Sequence, residues 1–223
     1  LALFGSEQAI INANAELLQA LPDDGHAFLY ADNDTTKNME ASSHASVTLV
    51  GMHDRANLHA DRVEHTKDGL HIVVQGEEYD VALHGIHNVG NTLLAVAVAK
   101  HLGLPIERIQ ERLRSFQPLT HTFRVHEDRG ITIVDDTYNS SRLSVRAALH
   151  WAAHRSERPR VLLLSELLET GAHEDLFLEE LGKEAQGSVE RIVIIDTKMK
   201  AALERGYGSP VELLCRSSDK VPD

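Results

Sequence analysis

The spacing of apolar residues gives the chain two different rhythms. Ser6 precedes an apolar stripe of Ile10, Ala13, Leu17 and Leu21, which predicts a helix capped by the Ser6 hydroxyl and stopped at Pro22-Asp-Asp-Gly25. Residues 26–31 and 47–50 are short apolar runs of strand length, and Asp32, Asn33 and Asp34 follow the first of them. Residues 62–66, 70–75 and 78–83 alternate apolar and polar positions around turns at Lys67-Asp-Gly69 and Gly76, the pattern of an antiparallel meander. From residue 88 to 102 the period becomes helical, carried by Leu93, Leu94, Ala97, Val98 and His101, and Gly103 stops it. Pro105 opens a further helix to residue 116, with Ile106, Ile109 and Leu113 on one face.

Gln117-Pro118-Leu-Thr120 is the expected domain boundary, dividing residues 1–119 from 120–223. Beyond it, strands expected over 122–126, 131–135, 160–165 and 191–196 are interleaved with helices over 144–154, 174–186 and 198–205. Alternating strands and helices with branched apolar runs predict an α/β chain with a parallel, doubly wound sheet. Val161-Leu-Leu-Leu164 and Ile192-Val-Ile-Ile195 are the expected buried strands, and with the sequence stopping soon after Pro210 the second sheet is expected to lack its last strand.

Composition narrows the function classes. Of 223 residues, 42% are hydrophobic and 25% charged, an ordinary globular balance that excludes a disordered chain. Lys and Arg number 22 against 34 Asp and Glu, and the net charge of −12 argues against a nucleic-acid partner. No apolar run approaches the roughly 20 residues of a membrane span. A single cysteine, Cys215, excludes an internal disulfide and a zinc–cysteine cluster, and fits a reducing, cytoplasmic location. The chain opens on Leu1 with no signal-peptide pattern, so it is expected to start inside a longer gene product.

Two segments carry candidate chemistry. Ile131-Thr-Ile-Val-Asp-Asp-Thr-Tyr-Asn139 ends an apolar strand in two carboxylates and a polar turn. An Asp there can accept hydrogen bonds from a ribose; the plainer alternative is a helix-capping Asp pair. Gly85-Ile-His87-Asn88-Val-Gly-Asn91 joins a strand to the long helix. Asn88 and Asn91, three apart, share one helix face, and amides carry the donors and acceptors an adenine edge needs. The alternative is that Asn88 is only the helix N-cap. His150 and His154 have metal-ligand spacing but no third ligand beside them, so surface histidines are the plainer reading, and Trp151 between them reads as core packing. No Gly-x-x-x-x-Gly-Lys-Ser/Thr phosphate loop and no Gly-x-Ser-x-Gly elbow occurs.

Taken in order, five segments resemble the Mur ligases, most closely the MurF type that adds D-alanyl-D-alanine to a muramoyl tripeptide. They are Phe4-Gly-Ser-Glu-Gln-Ala-Ile with Asn14-Ala-Glu16, Ala27-Phe-Leu-Tyr-Ala-Asp-Asn33, Gly85-Ile-His-Asn-Val-Gly-Asn91, Asp135-Asp-Thr-Tyr-Asn139 with Ser144, and Ser165-Glu-Leu-Leu-Glu169-Thr-Gly171. The resemblance implies the second half of a central ATPase domain in residues 1–119 and a Rossmann-like C-terminal domain in 120–223. It implies ATP and Mg²⁺ as cofactors, and UDP-MurNAc-peptide and D-Ala-D-Ala as small-molecule substrates of a monomer. ATP would phosphorylate a carboxylate, and an amine would attack the acyl phosphate to form a peptide bond. By motif position, Glu16 and His87 would be catalytic. Asn88 and Asn91 would face adenine and Asp136 ribose, with Tyr138, Asn139 and Arg124 also on the nucleotide side. Glu166 and Glu169 would lie near the incoming amino component. No metal ligand is assigned.

The departures from the family pattern concern phosphate and metal. The family lysine that is carbamylated to hold magnesium falls at Asn14, the Gly-Arg pair at His121-Thr122, Asn-Pro at Ser141-Arg142, Gly-Asp-Met at Ser165-Glu166-Leu167, and a helix histidine at Leu178. Two alternatives to a ligase fragment follow: a degenerate Mur-like binding or regulatory module without catalysis, and another amide ligase of the superfamily acting on folate or polyglutamate. Tyr138-Asn139 and Phe4-Gly-Ser6 favour the MurF type over the latter.

Overall fold

The computed structural model describes residues 6–138, 140–165 and 174–214. Its contacts fall into two units, up to Asp135 and from Asp136 onward, so the hairpin after the expected boundary at residue 119 groups with the first unit.

The first unit opens with α1 (Glu7–Gln19), whose Ser6 cap accepts from the Ala9 amide at 3.1 Å. β1 (His26–Tyr30), α2 (Asp34–Asn38), a 3₁₀ turn at Met39–Ser42, β2 (Ser46–Gly51) and β3 (Leu58–His59) follow. The three strands form a parallel sheet in the order β1-β2-β3, with Phe28 opposite Thr48 and Val50 opposite Leu58. Strand alternation sends Ala27, Leu29 and Leu49 to one face, against Leu18 of α1. Phe28 and Val50 go to the other, into the larger core. A parallel sheet needs both faces covered, and this one has them.

The meander is β4 (Arg62–His65), β5 (Leu70–Val74) and β6 (Glu77–Val81), antiparallel as expected. Its inward residues Leu70, Ile72, Val74, Tyr79 and Val81 meet Val89, Leu93, Val96 and Ala97 of α3 (His87–His101), and Ile109 of α4 (Ile106–Ser115) joins them. The Tyr79 hydroxyl, in a fully buried residue, donates to Glu77 Oε2 at 2.7 Å, and Lys100 of α3 donates to the same oxygen at 2.7 Å. On the outer face His71 pairs with Asp80 at 2.8 Å, and Arg114 of α4 donates to that Asp at 3.2 Å. The unit closes on the hairpin β7 (Arg124–Asp128) and β8 (Ile131–Asp135).

The second unit contains α5 (Arg142–Ala153), β9 (Val161–Leu164), α6 (Glu174–Ala185), β10 (Arg191–Ile194), a 3₁₀ turn at Thr197–Met199, α7 (Lys200–Tyr207) and β11 (Glu212–Leu213). Its strands are parallel in the order β11-β10-β9. Leu162, Leu164, Ile192 and Ile194 share one core with Val145 and Leu149 of α5, Phe177, Leu178 and Leu181 of α6 and Leu203 of α7. Arg160, itself buried, is the clasp. Its guanidinium donates to the Ala152 carbonyl at 2.7 Å and the Gly187 carbonyl at 3.0 Å, at the carboxyl ends of α5 and α6 where unpaired carbonyls concentrate negative charge.

Four details differ from the sequence expectation. On α1 the buried residues are Ala15 and Leu18, and Leu17 is 73% exposed, because the sheet meets the helix one residue further round. Val161 and Leu163 are 47% and 59% exposed, since the core described here packs on only one face of β9. β11 is a strand beyond Pro210 that was not expected; it is two residues long, too short to carry a pattern. The elements α2 and β3 are short and polar or isolated for the same reason.

Two outcomes follow from this packing. A Cβ on Gly206 of α7 would lie 1.9 Å from the Glu179 carbonyl of α6, so the two helix backbones touch there. Gly206→Ala should destabilise by about 2 kcal/mol through overpacking, although helix propensity alone favours Ala by about 1 kcal/mol. The sign of the shift in a urea midpoint decides between them. The second outcome concerns acid. Donation from Lys100, then from Tyr79, holds Glu77 below its ordinary value of 4.5. His71, then Arg114, likewise lowers Asp80 from 3.8. Depressed folded values contribute stability that is present above the ordinary values and is lost as pH falls through the folded ones. Unfolding midpoints should therefore drop below about pH 4.5, and the drop should be shallower in Glu77→Gln.

Candidate functional site

The carboxyl end of the parallel sheet is where the first unit gathers its polar groups, as open α/β sheets do. Asp32, two residues past the end of β1, turns its carboxylate across to β2 and accepts from the Met52 amide at 2.6 Å. This needs Gly51, where a Cβ would sit 2.7 Å from Asp32 Oδ1. The Tyr30 hydroxyl also bonds to Asp32; burial first, then the Asp32 charge and that hydrogen bond, push the phenol up to about 12. The Tyr30 ring in turn lies against the first turn of α3, where a Cβ on Gly90 would come within 2.6 Å of its edge. Met52, Asp32, Tyr30 and Gly90 thus link the ends of β2 and β1 to the start of α3.

That start is the Gly85–Asn91 motif. Gly85 has φ +88°, a left-handed turn that glycine takes without strain. Asn88 is not the N-cap: Ile86 holds that position and supplies no side-chain bond. Instead Asn88 Nδ2 donates back to the His84 carbonyl at 2.8 Å, and Asn88 Oδ1 accepts from Asn91 Nδ2 at 3.2 Å. Asn88 is half-buried and Asn91 exposed. The inner amide therefore orients the outer one, which is exposed. His87 is half-buried, its ring edge-on to Phe123 at a centroid distance of 4.9 Å.

The other sequence-predicted residues are placed elsewhere. Glu16 is exposed on α1 and borders a groove with Asp34 and Asn38 of α2. Asn14 lines an adjoining cavity of about 400 Å³ with Asn33, Thr35 and Thr36, and its amide donates to the Ile10 carbonyl at 2.9 Å. Arg124 is exposed on β7 opposite Asp135. In the second unit Asp136 is half-buried, and the Ser140 hydroxyl donates to its carbonyl. The carboxylate pair does not cap α5, because Ser141 and Ser144 form a reciprocal capping box there. Tyr138 is 74% exposed. Asn139, Glu166 and Glu169 lie outside the described residues. His150 and His154 stack at 4.3 Å on the surface. Among the described residues no three His, Cys, Asp or Glu side chains group as a metal site, and no helix is long and apolar enough to cross a membrane.

Sequence reasoning placed Asp32 at a strand end but missed Tyr30 and Gly51 as its neighbours, missed Phe123 beside His87, and gave Gly90 no role. A glycine inside an otherwise apolar helix was the available signal for the Tyr30 contact.

Comparison with known proteins gives the family of the chain. Residues 1–99 match the Mur ligase middle domain. The UDP-N-acetylmuramoyl-tripeptide–D-alanyl-D-alanine ligase of Mycobacterium tuberculosis is 31% identical over 92% of this chain and 44% of its own length. MurF from Acinetobacter baumannii shares the fold with a TM-score of 0.82 at 20% identity, over 94% of this chain and 47% of that one. MurF from Thermotoga maritima in complex with ADP does so with a TM-score of 0.73 at 18% identity, over 95% and 48%. The chain thus spans less than half the length of the proteins it matches. The domain match and the aligned relative together place the chain in the Mur ligase family, most similar to its MurF-type members.

Proposed function

We propose that this chain carries the adenosine-holding part of an ATP-dependent D-alanyl-D-alanine-adding ligase of peptidoglycan precursor synthesis. The observation that carries the reading is the exposed Asn91 amide, held by Asn88 on the first turn of α3 beside the carboxyl end of a parallel sheet. Asn91 reads the adenine edge and Asn88 orients it. Asp136, with Tyr138 and Asn139, serves the ribose side, and Arg124 the phosphate side. Residues 1–119 then form the later half of the central ATPase domain and 120–223 the Rossmann-like domain. UDP-MurNAc-tripeptide would be the acyl donor and D-Ala-D-Ala the amine, with Glu166 and Glu169 near the latter and Glu16 and His87 at the reacting end. The setting is the cytoplasm, where such nucleotide-linked substrates are made.

Among the described residues, those at the positions the family uses for magnesium and phosphate do not fit a magnesium ion. Asn14 is neutral and cannot be carbamylated, and its amide is turned to the Ile10 carbonyl. Leu178, at the position of the family histidine, is 1% exposed in the core of the second unit and cannot reach a phosphate. These two placements favour a second reading, a Mur-like module that keeps nucleotide affinity without catalysis. The ligase reading stays ahead because the relatives aligned with most of this chain are UDP-N-acetylmuramoyl-tripeptide–D-alanyl-D-alanine ligases.

Calorimetry of the chain with ATP and Mg²⁺ tests both. Wild type should bind, and Asn91→Ala and Asp136→Ala should each weaken binding about tenfold, the worth of one hydrogen bond to the ligand. The isolated chain should show no ATP turnover. Binding indifferent to both substitutions would overturn the assignment of the adenosine site, and turnover would overturn the non-catalytic reading of Asn14 and Leu178.

A further inference from the structure

The short linker before β7 is built in an uncommon way. Two non-glycine residues flank Thr122 with left-handed backbone, His121 at φ +66° and Phe123 at φ +44°. Such conformations persist in bulky residues only where surrounding contacts hold them. Both are held here. The Thr122 amide and hydroxyl donate to the Leu119 carbonyl at 3.2 and 2.7 Å, closing a turn. His121 Nδ1 donates to Asp135 Oδ2 at 2.6 Å. Phe123 is 4% exposed, and its ring meets the edge of His87 and stands 3.1 Å from where a Cβ on Gly85 would be. The strained linker is therefore anchored at one end to Asp135, the last residue of β8, and at the other to the turn that opens α3.

We propose that residues 119–123 are a positioning strap for the Asn88–Asn91 amides. His121 and Phe123 act through other groups. Asp135 fixes His121, His121 fixes the backbone that presents Phe123, and Phe123 wedges the Gly85–His87 turn from which Asn88 donates back to His84. A glycine would adopt this backbone without help, whereas the histidine relies on the Asp135 hydrogen bond to hold the turn. The role in ligand binding rests on the nucleotide reading above; the mechanical coupling does not.

The test uses the 223-residue chain with His121→Ala and His121→Asn. Alanine removes the donor and disfavours positive φ, whereas asparagine tolerates that backbone and can donate to Asp135. Amide hydrogen exchange at residues 88–91 should quicken about tenfold in His121→Ala and stay near wild type in His121→Asn, with exchange in β5 and β6 unchanged in both. ADP affinity should fall in parallel in the alanine variant and recover in the asparagine variant. Unchanged exchange at 88–91 in His121→Ala, or a rise shared equally by β5 and β6, would overturn the strap. If the wild-type chain binds no ADP, the nucleotide reading fails, and the exchange result still decides the strap.

Discussion

A single carboxylate joins the scaffold to the site. Asp32 leaves β1 and takes the Met52 amide at the end of β2, so the two adjacent parallel strands finish in a fixed relation. The same carboxylate holds the Tyr30 hydroxyl, and the Tyr30 ring lies on Gly90 of α3. Two glycines make the approach possible, Gly51 for the carboxylate and Gly90 for the ring. The position of the Asn88 and Asn91 amides thus depends on the strand ends through Tyr30 and Gly90, as well as on the Gly85–His87 turn that carries them.

Most of the element order was legible because it rests on periodicity. The parallel strands, the meander, the long helix and the alternating second unit all have runs long enough to show a period of two or of 3.6. What was not legible depends on partners far away in sequence. Leu17 and Leu18 are indistinguishable by hydrophobicity, and only the direction of the sheet decides that Leu18 is buried. Val161 and Leu163 read as core by their branching and bulk, but the alternation of β9 turns them from the face that the helices cover. The Asn88–Asn91 pair was visible as a spacing, while its inner and outer roles required the His84 carbonyl. Phe123 gave no signal at all, because an aromatic residue at positive φ has no sequence signature.

The substitutions against the family pattern fall into a physical class. Asn14 is a neutral amide closed onto its own helix, and Leu178 is apolar and sealed in a core. Neither can balance phosphate charge, which in phosphoryl transfer is the main task of the protein. The groups that set the sheet end and the amide pair carry no such task and remain. In the proposed nucleotide reading, recognition of a base and handling of a triphosphate are therefore separable, the first resting on packing and amides, the second on charges absent at Asn14 and Leu178.

The most direct measurement of that separation is the affinity of the chain for adenosine, ADP and ATP side by side. If base recognition dominates, the three constants should lie within about tenfold of one another, because each additional phosphate finds little charge-assisted bonding. A preference for ATP over adenosine of several hundredfold, on the order of 3–4 kcal/mol, would show that phosphate-binding groups operate here and would contradict the separation.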